Sequence, residues 1–259
     1  MSNLVLTDRQ DSIMLITLNN PEKRNALSLP MWRDLHAAIG AVSEDDTVRA
    51  VILRGAGDKA FAAGADITEF DTVRGNREQA RLYDKALRDC LEAIRACRPP
   101  TIAAIQGACM GAGLEIAVQC DFRISGESGL FGAPIKLLGL AMTSPEIEGI
   151  YRLVGPAVTR EILLEGRIFK AQEACAKGIV TRVTPDAGLM EEAFATAGRI
   201  ADGAPLTARW HKAFLNQLEG ASKVTAEDIE AGYFYFETDD FWEGVNAFKE
   251  KRKPKFTGS

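Results

Sequence analysis

Short runs of apolar residues in the first half of the chain predict buried β-strands. Each run is four to six residues long, too short for an amphipathic helix, and several are bounded by polar or glycine-containing turns. The predicted strands are 4–7, 13–18, 49–53, 101–105 and 122–125.

Longer segments with apolar positions at helical spacing separate these strands. The first begins after Ser28, a favoured N-cap residue, and has Pro30 in its first turn. The second covers 76–96 and is strongly amphipathic, and a third, short one covers about 113–118. Strands and helices therefore alternate, which predicts an α/β fold whose strands are buried.

The pattern changes after Ser144, where helices dominate and one further strand is predicted at 179–183. We therefore expect a β-rich spiral core over residues 1–195 and a helical region over 196–259. Four consecutive aromatic residues at 233–236 place more apolar surface around a predicted helix than one face can bury. They indicate contact with a neighbouring subunit, although burial within the same chain would also explain them.

Composition and charge restrict the class of protein. The chain has 259 residues, 46% hydrophobic and 26% charged, with a formal net charge of −5, so it does not look like a nucleic-acid-binding protein. No membrane span or signal peptide is visible in the sequence. The five cysteines have no zinc or redox spacing, and the two histidines lie near no ligand cluster. We expect reduced thiols, a cytoplasmic protein and no metal site.

Two small-residue turns, each between a strand and a helix, are the candidates for chemistry. They are 61–67 (Phe-Ala-Ala-Gly-Ala-Asp-Ile) and 106–115 (Gln-Gly-Ala-Cys-Met-Gly-Ala-Gly-Leu-Glu). Small residues let backbone N–H groups approach a ligand, and one amide from each turn could bind a single carbonyl oxygen. The second turn is not a dinucleotide fingerprint, because Ile116 stands where the third glycine is required. Glycine-rich turns also occur for packing reasons alone.

Taken together, the two turns and further motifs resemble the crotonase (enoyl-CoA hydratase/isomerase) superfamily over nearly the whole chain. The other motifs are Leu18-Asn19-Asn20-Pro21, Arg24-Asn25-Ala26-Leu27, Cys120-Asp121-Phe122-Arg123, Phe131-Gly132-Ala133-Pro134, Leu137-Leu138-Gly139 and the run from Ala247 to Pro254. The resemblance implies a ClpP-like spiral of ββα units with a helical C-terminal trimerisation region. It also implies a homo-oligomer, either a trimer or a dimer of trimers.

The resemblance assigns roles to individual residues. It implies that the amides of Ala65 and Ala112 form an oxyanion hole for a thioester, and that no cofactor is needed because coenzyme A is part of the substrate. Glu115 would be the acid/base, although a carboxylate at a helix N-terminus is also stabilised there without any catalytic role. The implied CoA-binding residues are Arg24, Asn25, Ala26, Ala63, Asp66, Ile67, Phe248 and Lys251.

One position departs from the family pattern. Family hydratases hold a water between two glutamates, and the second follows the proline of the Phe-Gly-x-Pro motif, where this chain has Ile135. Ser144 is predicted to be the N-cap of a helix and Pro145 its first residue, so Glu146 and Glu148 would fall in the first turn, and Glu146 could replace the missing glutamate. An N-terminal helix charge in solvent is the alternative interpretation of Glu146.

Three functions remain open at this stage. The first is hydration or double-bond isomerisation of an enoyl-CoA by Glu115 with Glu146. The second is decarboxylation of a malonyl-type thioester by Glu115 alone. One group of decarboxylases in the family has a tyrosine where this chain has Met142, which counts against a close match. The third is acyl-CoA binding without turnover. In each case we expect residues around 70–83 and 137–142 to line the acyl pocket, and neither nucleic acid nor a membrane as a partner.

Overall fold

The computed structural model describes residues 3–220 and 225–259. A six-stranded sheet with the order β1-β2-β3-β5-β7-β10 forms its centre. β1 and β2 are antiparallel, and all the other neighbours in this sheet are parallel. Its strands are β1 (Val5–Gln10), β2 (Ile13–Leu18), β3 (Ala50–Gly55), β5 (Thr101–Ile105), β7 (Phe122–Gly126) and β10 (Arg182–Thr184).

A second sheet has four strands of three residues each and contacts the first sheet through β4. It brings the two small-residue turns together. Its order is β4-β6-β8-β9, parallel except for the last pair. β4 precedes the first turn, and β6 belongs to the second turn, so their pairing fixes the distance between the turns. The strands are β4 (Ala60–Ala62), β6 (Ala108–Met110), β8 (Leu130–Gly132) and β9 (Ile168–Lys170).

Ten α-helices surround the sheets in the described residues. They are α1 (Leu29–Glu44), α2 (Phe70–Val73), α3 (Arg77–Ala96), α4 (Ala112–Gln119), α5 (Ser144–Arg160), α6 (Ala171–Ala176), α7 (Leu189–Ala201), α8 (Pro205–Leu218), α9 (Ala226–Ala231) and α10 (Asp239–Glu250). α5 is kinked at Gly155, which has non-helical backbone angles. No helix among the described residues is both long enough and apolar enough to cross a membrane.

The large sheet is covered on both faces, as the apolar strands predict. Side chains alternate along β3, so that Val51 and Leu53 join the core beneath α1 and α3, while Ile52 joins a smaller core beneath α7. Burial on both faces explains why the central strands β3 and β5 are mostly apolar. It also makes the sheet a rigid support for the turns at its carboxyl edge.

Most of the predicted elements are confirmed. β2 and β5 have the predicted bounds, and the helices predicted after Ser28 and over 76–96 begin where expected. The Ser28 hydroxyl accepts a hydrogen bond from the Met31 amide, and the Asn76 side chain accepts two from the first turn of α3. Both helix starts are determined by local capping, which is visible in sequence. The five cysteines are free thiols, and all except Cys175 are buried.

Two predictions about the second half of the chain are wrong. The strand predicted at 179–183 is β10, Arg182–Thr184, because the amides of Ile179 and Val180 instead bind the Ala174 carbonyl and close the end of α6. The aromatic segment is a single 3₁₀ turn, Phe234–Glu237, rather than part of a long helix. The turn ends where the Tyr235 carbonyl accepts the Thr238 amide.

The division expected between residues 195 and 196 falls inside α7, which packs on the central sheet. Helices α8 to α10 follow it. Tyr233, Phe234 and Phe236 are each about half exposed, and their contact with a neighbouring subunit stays a prediction.

Candidate active site

A cavity of about 600 Å³ opens between the two small-residue turns and the start of α5. Both stretches expected to line the acyl pocket contribute to its walls. The lining residues from the turns are Ala63, Gly64, Ala65, Asp66, Ile67, Met110, Gly111, Ala112 and Glu115, and those from the predicted pocket stretches are Phe70, Arg74, Tyr83, Leu137, Leu138, Leu140, Ala141 and Met142.

The geometry of the turns depends on two glycines. Gly111 has φ 49° and ψ −116°, a conformation that favours glycine, and it directs the chain from β6 into α4. Gly113 packs against the first turn so closely that an added Cβ would lie 2.4 Å from the Ala62 carbonyl oxygen. The two turns are therefore in contact, and their amides lie at one side of the cavity.

The amides of Ala65 and Ala112 are both available to a ligand. Both sequence neighbours of Ala65 are hydrogen-bonded to Leu27. The Leu27 amide donates to the Gly64 carbonyl, and the Asp66 amide donates to the Leu27 carbonyl. Ala112 is the first residue of α4, where amides have no partner within the helix. Within residues 3–220 and 225–259, neither amide donates a hydrogen bond to the protein. Ala112 is helical, which any L-residue tolerates, so alanine presents its amide here as glycine would.

Glu115 lies in the first turn of α4 and is 4% exposed. Its Oε2 atom is buried and has no hydrogen-bond partner among the described residues. Burial raises the pKa of Glu115 to about 8, and the negative charge of Glu146 adds to the increase. At neutral pH this side chain is therefore mostly protonated, and it can donate a proton into the cavity.

Glu146 is the second carboxylate of the cavity, and the sequence-based placement of its helix was off by one residue. The N-cap of α5 is Thr143 rather than Ser144. The Glu146 Oε2 atom accepts hydrogen bonds from the amide and the hydroxyl of Thr143, both at 2.5 Å. These bonds hold the side chain against the cavity at 5% exposure, whereas the Glu148 side chain is 67% exposed and pairs with Arg152. Glu146 is thus not a charge in solvent.

Ile135 also lines the cavity, at the start of the 3₁₀ turn Ile135–Leu138. The position that bears the second glutamate in family hydratases is therefore an apolar part of the wall in this chain. The only carboxylates among the residues lining this cavity are Asp66, Glu115 and Glu146. Asp66 is bound to Lys23 at 2.7 Å, which leaves Glu115 and Glu146 for acid–base chemistry.

The loop expected to contact CoA divides into lining and supporting residues. Ala26 lines the cavity, and so does Lys23, which the motif comparison missed although it directly precedes Arg24. Lys23 donates to Asp66 and to the Thr68 hydroxyl. Burial would raise the pKa of Asp66, but the hydrogen bonds from Lys23 and Thr68 outweigh it and lower that pKa.

Asn25 is fully buried and supports the loop instead of facing the cavity. Its side chain accepts the Asn20 amide and donates to the carbonyls of Ala56 and Ala60. Arg24 and Asn25 both have positive φ angles, which turn the chain sharply at this point. Arg24 is exposed and outside the residues that line the cavity. A role for Arg24 or Asn25 in binding CoA stays a prediction. Because Asn25 is fully buried, it would act by maintaining the shape of the loop.

Phe248 and Lys251 lie at the end of α10 and do not line this cavity. Phe248 is 86% exposed and borders a separate recess among the C-terminal helices. Their contact with CoA stays a prediction.

Arg74 is a functional candidate that sequence reasoning missed. Its guanidinium lies 5.1 Å from the ring centre of Phe70 and 4.9 Å from that of Tyr83, and it forms a 2.8 Å ion pair with Asp84. The contacts with Tyr83 and Asp84 depend on how α3 packs against the end of α2, and no sequence motif marks them. The positive charge of Arg74 lowers the pKa of Glu115, opposing the effects of burial and of Glu146.

No group of three or more metal-ligating side chains occurs in the part of the chain that the structure describes. The cavity combines two carboxylates, Glu115 and Glu146, with two backbone amides, those of Ala65 and Ala112. This arrangement can transfer protons while it stabilises a negative oxygen.

Comparison with known proteins identifies the family. The sequence pattern described as enoyl-CoA hydratase/isomerase matches residues 8–259. A crotonyl-CoA hydratase of Syntrophomonas wolfei is 33% identical over 254 residues, 97% of each chain, and a probable enoyl-CoA hydratase of Rhizobium meliloti is 36% identical over 257 residues, again 97% of each.

Solved structures agree with the sequence matches. An enoyl-CoA hydratase/carnithine racemase from Magnetospirillum magneticum superposes with a TM-score of 0.98 at 49% identity, over 100% of this chain and 97% of that one. An enoyl-CoA hydratase from Bacillus anthracis gives 0.93 at 33% identity, over 99% and 100%. The α/β crotonase fold expected from the motifs is confirmed, and the chain belongs to the enoyl-CoA hydratase/isomerase family.

Proposed function

We propose that the cavity binds the acyl end of an enoyl-CoA thioester and that the protein adds water across its double bond. The observation behind this proposal is the buried, unpartnered Oε2 of Glu115, a group with a pKa near 8, in the same cavity as the unpaired amides of Ala65 and Ala112. A buried acid is costly unless a ligand uses it, and clefts that contain such groups are candidate active sites.

The amides of Ala65 and Ala112 bind the thioester oxygen. During addition to an enoyl thioester, the electron pair of the double bond moves towards that oxygen, which becomes an enolate. Two preorganised donors stabilise this charge, and the amide of Ala112 has the added effect of the N-terminus of α4. No cofactor enters this scheme, since coenzyme A is part of the substrate.

The two carboxylates divide the proton transfers. Glu146 accepts a proton from water while the remaining hydroxide forms a bond to C3 of the acyl chain. Glu115, protonated at neutral pH, then donates its proton to C2 as the enolate collapses to the saturated thioester. One water is consumed, and the proton taken by Glu146 returns to Glu115 through water before the next turnover. Glu146 thereby replaces the acid that is missing at Ile135.

We further propose that Lys23, Ala26, Ala63, Asp66 and Ile67 contact the pantetheine and nucleotide parts of CoA at the mouth of the cavity. Lys23 supplies a positive charge there. Phe248 and Lys251 would reach the CoA of a neighbouring subunit in a trimer or a pair of trimers. Their exposure and their absence from the lining of their own cavity support this.

Isomerisation of the double bond is the second candidate, favoured by the isoleucine at position 135. Moving a double bond needs no activated water, so one glutamate that removes and returns a proton is sufficient. In that case Glu115 must be ionised first, and kcat/KM would rise with pH up to about 8. Hydration with Glu115 as the acid would instead fall above about pH 8.

The test is to incubate the protein with crotonyl-CoA, a 3-enoyl-CoA and methylmalonyl-CoA and to follow products by mass spectrometry. We expect the 3-hydroxyacyl-CoA from crotonyl-CoA, and a loss of about 10²- to 10⁴-fold in kcat for Glu115→Gln. Product only from the 3-enoyl-CoA would replace hydration by isomerisation, and product only from methylmalonyl-CoA would replace it by decarboxylation. Tight binding of all three without product would leave an acyl-CoA-binding protein.

A further inference from the structure

A second polar cavity, of about 450 Å³, lies between α8 and the ends of α3 and α4. None of its lining residues belongs to the candidate active site. Six of them have charged side chains, four basic and two acidic, so the wall has an excess of positive charge. They are Arg95, Asp121, Arg123, Arg152, Lys212 and Glu219, with His211 beside them.

Two of the four basic residues have carboxylate partners. Lys212, which is 6% exposed, forms a 2.8 Å ion pair with Asp121. Arg152 forms a 3.0 Å ion pair with Glu219 and a longer one with Glu148. Both acidic residues of the cavity are therefore already engaged.

Arg95 and Arg123 make no ion pair within residues 3–220 and 225–259. Arg95 donates from Nη2 to the Asn216 carbonyl, but its Nε is buried without an acceptor. Arg123 is buried and donates only to the carbonyls of Ile179 and Cys120. Burial lowers the pKa of Arg123, and the more distant charges of Asp121 and Glu219 only partly oppose this.

A buried guanidinium without a counter-ion, and a buried N–H without an acceptor, are both unfavourable in a folded protein. A small anion in this cavity would supply the counter-ion that Arg123 lacks, and Arg95 lines the same cavity. The guanidinium group presents its N–H donors in a planar fork that matches the oxygens of a phosphate or carboxylate group. The volume of the cavity is large enough for such a group and its remaining water.

We propose that this cavity is a binding site for a small oxyanion, a phosphate or a carboxylate group, held by Arg95 and Arg123. Helix α4 contributes residues to both this cavity and the candidate active site. Glu115 and Gln119, which lines the anion cavity, are one turn of α4 apart, about 6 Å along the helix. The site is separate from the acid–base pair and does not depend on which reaction that pair performs.

Isothermal titration of the full chain with phosphate, sulfate and succinate, at ionic strength matched with sodium chloride, tests the proposal. We expect saturable binding of at least one anion, about tenfold or more weaker in Arg95→Gln. Arg81→Gln, on the exposed side of the same helix, is the matched control and should bind like the original protein. Tighter binding of phosphate than of succinate would identify the phosphate source, and the reverse the carboxylate source.

Crystals grown with selenate provide a second measurement that needs no variant. Anomalous density between Arg95 and Arg123 would support the site even if Arg95→Gln failed to fold. The proposal is overturned if no anion binds more tightly than chloride, if Arg95→Gln binds as well as Arg81→Gln, or if selenate is absent from the cavity. The guanidinium groups of Arg95 and Arg123 would then donate only to the backbone carbonyls that they already contact.

Discussion

The carboxylates of Glu115 and Glu146 lie in the wall of one cavity, and the charge of Glu146 raises the pKa of Glu115. Each helix presents its glutamate from the first turn, α4 after Gly111 and α5 after Thr143. Two acids with different environments in one cavity can act as a donor and an acceptor of protons in the same reaction. The pKa of Glu115 therefore depends on whether Glu146 is charged.

Replacing Glu146 with Gln tests both parts of this relationship. Hydration should fall by about 10²- to 10⁴-fold, because no base remains for the water. The pKa of Glu115 should also decrease, since a like charge is removed, so any residual activity should decline at lower pH than in the original protein. The pH dependence of kcat/KM measures both effects.

Glu148→Gln is the matched control, since that residue is two positions away and exposed. Its effect on kcat/KM should stay within about twofold, as for most surface substitutions. Equal losses in the two variants would show that Glu146 has only a structural role at the start of α5. Unchanged hydration in Glu146→Gln would remove the residue from the mechanism.

The sequence alone did not show which glutamate of α5, Glu146 or Glu148, faces the cavity. The start of α5 was predicted one residue too late, and in a helix one residue corresponds to a rotation of about 100°. That error is enough to leave open whether Glu146 or Glu148 faces the cavity. Thr143 and Ser144 are both good N-cap residues, so local chemistry does not decide between them.

Other parts of the fold and of the site were predictable to different degrees. Buried strands and the helices capped by Ser28 and Asn76 follow from local pattern, and the small-residue turns were found because glycine is needed where two turns touch. The contacts of Lys23 were missed because Asp66 and Thr68 are 43 and 45 positions away in sequence. Those of Arg74 were missed because no motif marks them. Asn25 belongs to a recognisable motif, yet its side chain hydrogen-bonds only to the backbone.

The raised pKa of Glu115 predicts that stability depends on pH. The group titrates near 4.5 when unperturbed and near 8 in the folded protein, so the folded state binds the extra proton between these values. The free energy of unfolding should therefore be greatest below about pH 4.5 as far as this residue is concerned. It should fall as pH rises towards 8, by at most about 1.4 kcal/mol per pH unit.

Chemical denaturation of the original protein and of Glu115→Gln between about pH 5 and pH 9 measures the difference. Glutamine cannot ionise, so the variant should lose less stability as pH rises, and the difference between the two curves should grow up to about pH 8 and stay constant above it. Parallel curves across the whole range would contradict the raised pKa.

Arg74 should influence catalysis through the effect of its charge on Glu115. Arg74→Met keeps the length of the side chain but removes the positive charge that lowers the pKa of Glu115. The alkaline decline in hydration should therefore move to higher pH. The pH profile of kcat/KM separates this from a packing defect, which would lower activity without moving the profile, and Arg77→Met on the exposed start of α3 is the control.

Gly113→Ala should separate the two turns that hold the amides. The new Cβ would lie 2.4 Å from the Ala62 carbonyl oxygen and 2.9 Å from the Ala62 Cβ, and backbone must move to accommodate it. We expect a loss of about 1–3 kcal/mol in the free energy of unfolding. Since Ala62 precedes Ala65 by one short turn, the amide of Ala65 should also move relative to that of Ala112, which lowers kcat more than it weakens CoA binding.

Gly198→Ala, inside α7, is the control, because no atom lies within 4 Å of its added Cβ. That variant should gain about 0.5–1 kcal/mol in helix stability and keep full activity. Ala112→Gly completes the set, since it removes a side chain but keeps the backbone donor, and hydration should persist. Full hydration in Gly113→Ala would show that the contact between the turns does not position the two amides. Loss of hydration in Ala112→Gly would show that residue 112 contributes more than its backbone amide.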